Sequence, residues 1–261
     1  MKEKHAFVIS AYKETKYLEK CVESLLNQTV KSRVIICTST PNDYIQDVAE
    51  KYSIELHIRD GESDIQDDWN FSCAQIDSEW VTVAHQDDIY DRRYLEEMLK
   101  AIEKYPDGIM AFTDYRPIIH GEISMDMNCR IQHILRSPMK VPFLANNRIF
   151  KKYCLSLGNC IRCPSVCYHK EIIDGPIFTS PIKFSLDWDT FVKFAGYKNR
   201  FVYIDKPLAY YRIHSDATTM SYINNDTRKN DDLYMFRQFW PEWIVRIIMK
   251  IYHFSYDTYL N

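Results

Sequence analysis

The first half of the chain alternates short apolar runs with amphipathic stretches. Ala6-Phe7-Val8-Ile9-Ser10 reads as a buried strand, and after the loop at residues 11–15 the positions Tyr17, Leu18, Cys21, Val22, Leu25 and Leu26 recur at helical spacing. Asn27-Gln28-Thr29 closes that helix. Residues 33–37 predict a second strand, the polar turn from Thr38 to Asp43 leads into a helix over 44–52, and residues 54–58 predict a third, shorter strand. The order βαβαβ implies a parallel sheet with right-handed crossovers and a ligand cleft at the C-terminal ends of its strands.

An acidic loop at 59–68 and a helix over 69–76 lead to the strand 80–84, which ends in His85-Gln86-Asp87-Asp88. Two carboxylates where a strand leaves a sheet suit a hard divalent cation that completes its shell with water and phosphate oxygens. The same pair could instead cap the helix that follows. That helix carries Leu95, Met98, Leu99 and Ile102 on one face, and residues 109–114 form another strand. The regular alternation ends near Tyr115.

Beyond it the pattern is poorer. His120-Gly121-Glu122 reads as a hairpin turn, 130–135 and 146–157 as helices, and 161–168 as a return to the sheet. A turn enters a helix over 184–194, and 201–204 and 206–214 read as two strand-like runs. The tail 240–252 sets Trp240, Trp243, Ile244, Ile247, Ile248 and Ile251 on one side, with Arg246 and Lys250 on another. It is too short and too charged to span a bilayer. Such a stripe packs on a core or lies on a membrane surface.

Composition narrows the classes. With 33 basic and 36 acidic residues the formal charge is −3, so nucleic acid is not an expected partner. No apolar leader precedes the first strand, which predicts a cytoplasmic protein with its eight cysteines reduced. Cys160, Cys163 and Cys167, with His169 nearby, offer a partial zinc reading, but no second ligand pair matches the first.

Five segments in order resemble the family 2 glycosyltransferases of the GT-A fold. Val8-Ile9-Ser10-Ala11-Tyr12-Lys13-Glu14 is similar to their opening strand and P-x-Y-N-E loop, and residues 17–29 to their first helix. His85-Gln86-Asp87-Asp88 falls at their DxDD segment, Ser185-Leu186-Asp187-Trp188-Asp189 at their E-D-x-D, and Tyr211-Arg212-Ile213-His214 at their Y-R-x-H. The resemblance implies an α/β fold of GT-A type, with a Rossmann-like, mostly parallel central sheet flanked by helices. It divides the chain into a nucleotide-sugar-binding half (1–115), an acceptor-binding and catalytic half of the same body (116–221), and a helical tail (222–261).

The implied activity is an inverting, divalent-metal-dependent transfer of a sugar from a nucleoside diphosphate, a UDP-sugar by expectation, to a glycan or lipid-linked acceptor. The expected setting is bacterial surface polysaccharide synthesis, peripheral to the inner face of the membrane with contact through the C-terminal helix. Asp187 is the implied base, with Trp188 and Asp189 at the acceptor. Asp87, Asp88 and His214 are the implied ligands for Mn2+ or Mg2+. Ala11, Tyr12, Glu14, Ser39, Asn70, His85, Gln86 and Asp87 are the implied contacts to the nucleotide sugar. Three positions depart from the family pattern. His85 stands where the ribose-contacting Asp is expected, Thr38-Ser39-Thr40-Pro41 replaces the D-D-G-S turn, and Leu186 replaces the Glu before the base. They motivate an alternative, a non-catalytic sugar-nucleotide or glycan-binding module. A nucleotidyltransferase is disfavoured, because the first loop lacks the Gly-rich, basic character that holds a triphosphate.

Overall fold

The computed structural model describes residues 2–214 and 227–252. Strands β1 (Glu3–Ala11), β2 (Arg33–Thr38), β3 (Glu55–Ile58) and β4 (Ser78–His85) are parallel and ordered β3-β2-β1-β4. Helices α1 (Leu18–Leu26), α2 (Asp43–Tyr52) and α3 (Ile65–Ala74) supply the crossovers. Successive side chains of β1 serve opposite faces, as a strand's period of two requires. Phe7 and Ile9 pack with Leu18, Val22 and Ile45 on one side, while Ala6 and Val8 pack with Cys73 and the second half of the chain on the other. Burial on both faces explains why β1 reads as a continuous apolar run.

The second half extends the same sheet. After β5 (Ile89–Tyr90) and α4 (Tyr94–Lys104), β6 (Gly108–Ile119) turns through His120-Gly121 into the short β7 (Glu122–Ile123). Helices α5 (Met127–Arg136), α6 (Pro142–Ala145) and α7 (Arg148–Leu155) follow. Then β8 (Val166–His169) inserts antiparallel between β4 and β6, with the 3-10 turn Cys163–Ser165 before it. Helix α8 (Leu186–Ala195) leads to β9 (Arg200–Ile213), which completes the order β4-β8-β6-β9-β5. Helices α9 (Thr227–Arg237) and α10 (Glu242–Tyr252) end the described chain.

Three of the differences from the sequence reading have a clear local cause. Helix α3 begins at Ile65 rather than Trp69, because Asp64 caps it by accepting from the amides of Gln66 and Asp67 at 3.0 and 3.4 Å. Strand β9 is one strand rather than two runs. Pro207, which cannot donate to a ladder, sits opposite Asp114, where the β6–β9 register shifts. The tail helix uses only part of its stripe for packing: Val245 is buried and Ile248 and Met249 pack on the core, while Trp243, Ile247 and Ile251 face outward. The boundary expected at 221 lies outside the described residues.

A buried ion pair locks the helical insert to the sheet. Asp114 on β6 receives the guanidinium of Arg136 from α5, and His133 Nδ1 lies 2.8 Å from its other oxygen. Burial pushes the Asp114 carboxyl up, but Arg136 and its neighbours hold it below the usual carboxylate value. All eight cysteines are free and buried. None belongs to a group of described residues arranged to hold a metal. Among the described residues no helix is long and apolar enough to cross a membrane.

Candidate active site

The C-terminal ends of β1 and β4 and the last residues of β9 open onto one cavity of about 820 Å³, roofed by α3, α8 and α9. Its floor is the acidic turn. The backbone amide of Asp88 donates to the His85 carbonyl at 3.1 Å, closing the turn so that Asp87 projects outward and Asp88 inward. Asp88 Oδ1 accepts from the backbone amide of Arg212 at 2.9 Å, and Arg212 Nε donates to the Asp87 carbonyl at 3.0 Å. These bonds fasten the end of β9 to the turn, and they bring His214 Nε2 to 3.2 Å from Asp87 Oδ2. The hydroxyl of Thr15 donates to the other Asp87 oxygen at 3.2 Å. Tyr17 from the same loop stands edge-on to the His214 ring, at 4.9 Å between centroids, with the Arg212 guanidinium 4.3 Å from its centroid.

The donor set fits a divalent cation. A carboxylate and an imidazole converge, and neither nitrogen of His214 nor Asp88 Oδ2 has a hydrogen-bond partner among the described residues. Buried polar atoms left in that condition are costly unless something fills the space between them. Asp88 contributes less than Asp87, because burial pushes its carboxyl well above the usual range and one oxygen already holds Arg212. Two other groups of acids and histidines are already neutralised by cations. Asp114, His133 and Asp205 meet Arg136 and Lys140, while Glu79, His169 and Glu171 meet Lys2 and Lys4. Neither group lines the cavity.

The opposite wall holds Asp187, in the first turn of α8. Its Oδ1 accepts from the Trp188 amide at 2.7 Å and its Oδ2 from Asn159 Nδ2 at 2.9 Å. Burial outweighs these two bonds and pushes the carboxyl up to about 6. A carboxylate poised there ionises near neutral pH yet remains basic enough to take a proton. The loop that delivers it is held from α9: Asp231 Oδ2 accepts from the amides of Lys183, Phe184 and Ser185, and Asp232 Oδ1 accepts from the Ser185 hydroxyl.

The remaining expected residues divide by position. Tyr12, Glu14, His85, Gln86 and Trp188 line the cavity; Ala11, Ser39, Asn70 and Asp189 do not. Gln86 engages its amide with both backbone groups of Tyr12, at 3.0 and 2.8 Å, and so shapes the first loop. That loop bends through Lys13 at φ 54°, a left-handed conformation steadied by the Lys13 amide bonding Thr40 Oγ1. Ser39 donates to Asp68, which does line the cavity and is held by Arg59 and Ser63. Asn70 latches onto both backbone groups of Phe178. Asp189 turns away from the cavity, buried against Lys193 and Gln238, and Trp188 points its Nε1 at the Leu155 carbonyl. His85 stacks on Trp69 at 5.0 Å between rings, and burial lowers it to about 4, so it stands neutral in the cavity wall.

The sequence reading missed Thr15, Trp69, Asn159, Asp68, Asp231 and Asp232. Only Trp69 carried a signal, as an aromatic residue ahead of Asn70 in a polar stretch.

Residues 6–160 match the family model described as Glycosyl transferase family 2. The fold is similar to that of S. aureus TarS 1-349, with a TM-score of 0.61 and 16% identity over 97% of this chain and 73% of that one. A second TarS 1-349 structure, in complex with UDP-GlcNAc, gives 0.58 with the same identity and coverage. The mannosyltransferase PcManGT from Pyrobaculum calidifontis, in complex with GDP-Man and Mn2+, gives 0.62 with 12% identity over 97% of this chain and 70% of that one. No curated protein sequence matches the chain.

Proposed function

Because the chain belongs to glycosyl transferase family 2, we propose that it is an inverting, divalent-metal-dependent hexosyltransferase. It takes a sugar from a nucleoside diphosphate, UDP in the first instance, and adds it to a glycan or lipid-linked acceptor. One observation carries this reading. A single cavity holds two acids in different settings, Asp187 raised to about 6 on one wall and Asp87 beside His214 on the floor.

Asp187 accepts the proton of the acceptor hydroxyl as that oxygen attacks the anomeric carbon. The bond from that carbon to the diphosphate breaks on the far side, the leaving oxygen keeps the electron pair, and the centre inverts. Asp87 and His214 would hold Mn2+ or Mg2+, with the free oxygen of Asp88 behind them. Such a cation supplies Lewis-acid stabilisation of charge on the departing diphosphate. Asn159 keeps the base aimed, and Thr15 steadies Asp87.

The reading assigns residues 1–115 to the donor and 116–221 to the acceptor and the base. Tyr12 and Glu14 border the donor end, and the Trp69–His85 stack takes the place of an acidic contact to the ribose. Ser39 and Asp68 together stand in for the missing acid of the turn after β2. Complexes of relatives support the donor class: TarS with UDP-GlcNAc, and PcManGT with GDP-Man and Mn2+. A bacterial surface polysaccharide pathway fits this chemistry, with the enzyme in the cytoplasm, peripheral at the inner face of the membrane through α10.

A thermal-shift series with UDP, GDP and their sugars, each with and without Mn2+, tests the donor assignment. A rise in melting temperature confined to one base and dependent on the metal is the expected result. No rise with any nucleotide would defeat it.

A further inference from the structure

The helical insert carries an apolar surface that the fold does not cover. Helix α5 turns Met127, Ile131 and Ile134 outward, at the i, i+4 and i+7 spacing of one stripe. Phe143 in α6 and Ile149 in α7 are 77% and 81% exposed, and Tyr153 lies one turn beyond Ile149. Arg130, Arg148 and Lys152 share these faces and are exposed. Between Met127 and Lys170 there is no Asp or Glu, in a chain whose total charge is −3.

The surface is continuous. Helix α7 touches both α5 and α6, and Trp240 Nε1 donates to the Ser156 carbonyl at 2.8 Å, seating α10 beside the end of α7. The outward side of α10 then adds Trp243, Ile247 and Ile251 interleaved with Arg246 and Lys250. Large apolar side chains that stay in water on adjacent elements mark a docking face.

Charge decides between occupants. A twofold contact with a second copy would set this cationic face against itself, with no acid in the insert to pair it. Nucleic acid would satisfy the cations and leave the isoleucines and Phe143 in water. An anionic bilayer meets both requirements, since apolar side chains enter the acyl boundary while Arg and Lys meet the headgroups.

We propose that the face formed by α5, α6 and α7, with α10 at its margin, docks this protein on an anionic lipid bilayer. The contact extends well beyond the tail helix, and it adjoins the catalytic cavity. Leu157, just past the end of α7, is exposed, and Asn159, two residues later, bonds Asp187. The orientation brings the acceptor end of the cavity toward the lipid surface.

Co-sedimentation of the full chain with vesicles tests this, comparing phosphatidylcholine alone with equal parts phosphatidylcholine and phosphatidylglycerol. The expected result is binding to the anionic vesicles that weakens as salt rises. Phe143→Asp combined with Ile149→Asp should weaken it roughly tenfold or more. Melting temperature and nucleotide-induced shifts should stay at the parent values. Should that variant unfold, Arg148→Glu with Lys152→Glu supplies the same test through charge. Equal binding to both vesicle types, full binding by a folded variant, or a dimer that the same substitutions dissociate would each overturn the proposal. The last outcome would assign the face to a second copy. Failure of every nucleotide to bind would defeat the transferase reading and leave the vesicle result standing.

Discussion

The floor and the far wall of the cavity use the same side chain in two different settings. At the turn after β4, Asp87 reaches into open space with an imidazole at 3.2 Å and a hydroxyl at 3.2 Å. At the start of α8, Asp187 is enclosed, held by one amide and one carboxamide, and raised to about 6. The first setting suits a group that shares a cation, and the second suits one that changes protonation. Environment, rather than residue type, distinguishes the two proposed roles.

Replacing Asp187 by Asn removes the proposed proton acceptor and keeps the shape, so sugar transfer should fall by roughly 10²- to 10⁴-fold. Metal-dependent donor binding, read by thermal shift, should not change. A matching loss of donor binding would erase the division between the two acids. Asp87→Asn should act on the other limb, weakening Mn2+-dependent donor binding about tenfold or more while the protein stays folded. A variant that binds donor normally and transfers slowly would assign Asp87 to the chemical step instead.

The pH profile separates the two acids without mutation. As the proposed base, Asp187 would work only as the carboxylate, so kcat/KM should fall about tenfold per unit as pH drops below about 6. The smallest change expected comes from Asn159→Ala. The lost bond favoured the ionised form by about 1 kcal/mol, so the acid limb should move to higher pH, with a few-fold loss of rate at its midpoint. An unmoved limb would mean that another group titrates.

Much of the scaffold was legible because it repeats. Strand β1 announces itself through a continuous apolar run and helices α1, α2 and α4 through apolar positions near period four, and one stretch suffices to read each. Helix α3 was half hidden, since its first turn is polar and its stability there comes from the Asp64 cap. Strand β9 was split on paper by Pro207, whose lack of a donor is absorbed at a shift in register that only the neighbouring β6 reveals.

The site was legible where its residues sit together in the chain and not where they meet across it. Asp87 and Asp187 stood out within short motifs. Asn159 lies 28 residues before the carboxylate it bonds, inside a stretch with no period. Asp231 and Asp232 reach back 46 and 47 residues to Ser185. Asp189 misled for a related reason. Neighbours on a helix do not share a face at i and i+2, so the residue two beyond Asp187 points elsewhere.

The Arg212 bonds to the acidic turn span more than a hundred residues of chain, 125 between Arg212 and Asp87. Contacts of such separation form late, after local helices and neighbouring strands have met. The chain can therefore assemble its first crossovers before Asp87 and His214 come together, and protection of the Arg212 amide should arrive late in pulse-labelled hydrogen exchange. Early protection there would remove the inference. During synthesis, β9 then works as a timer: the proposed cation site stays incomplete until His214 has left the ribosome.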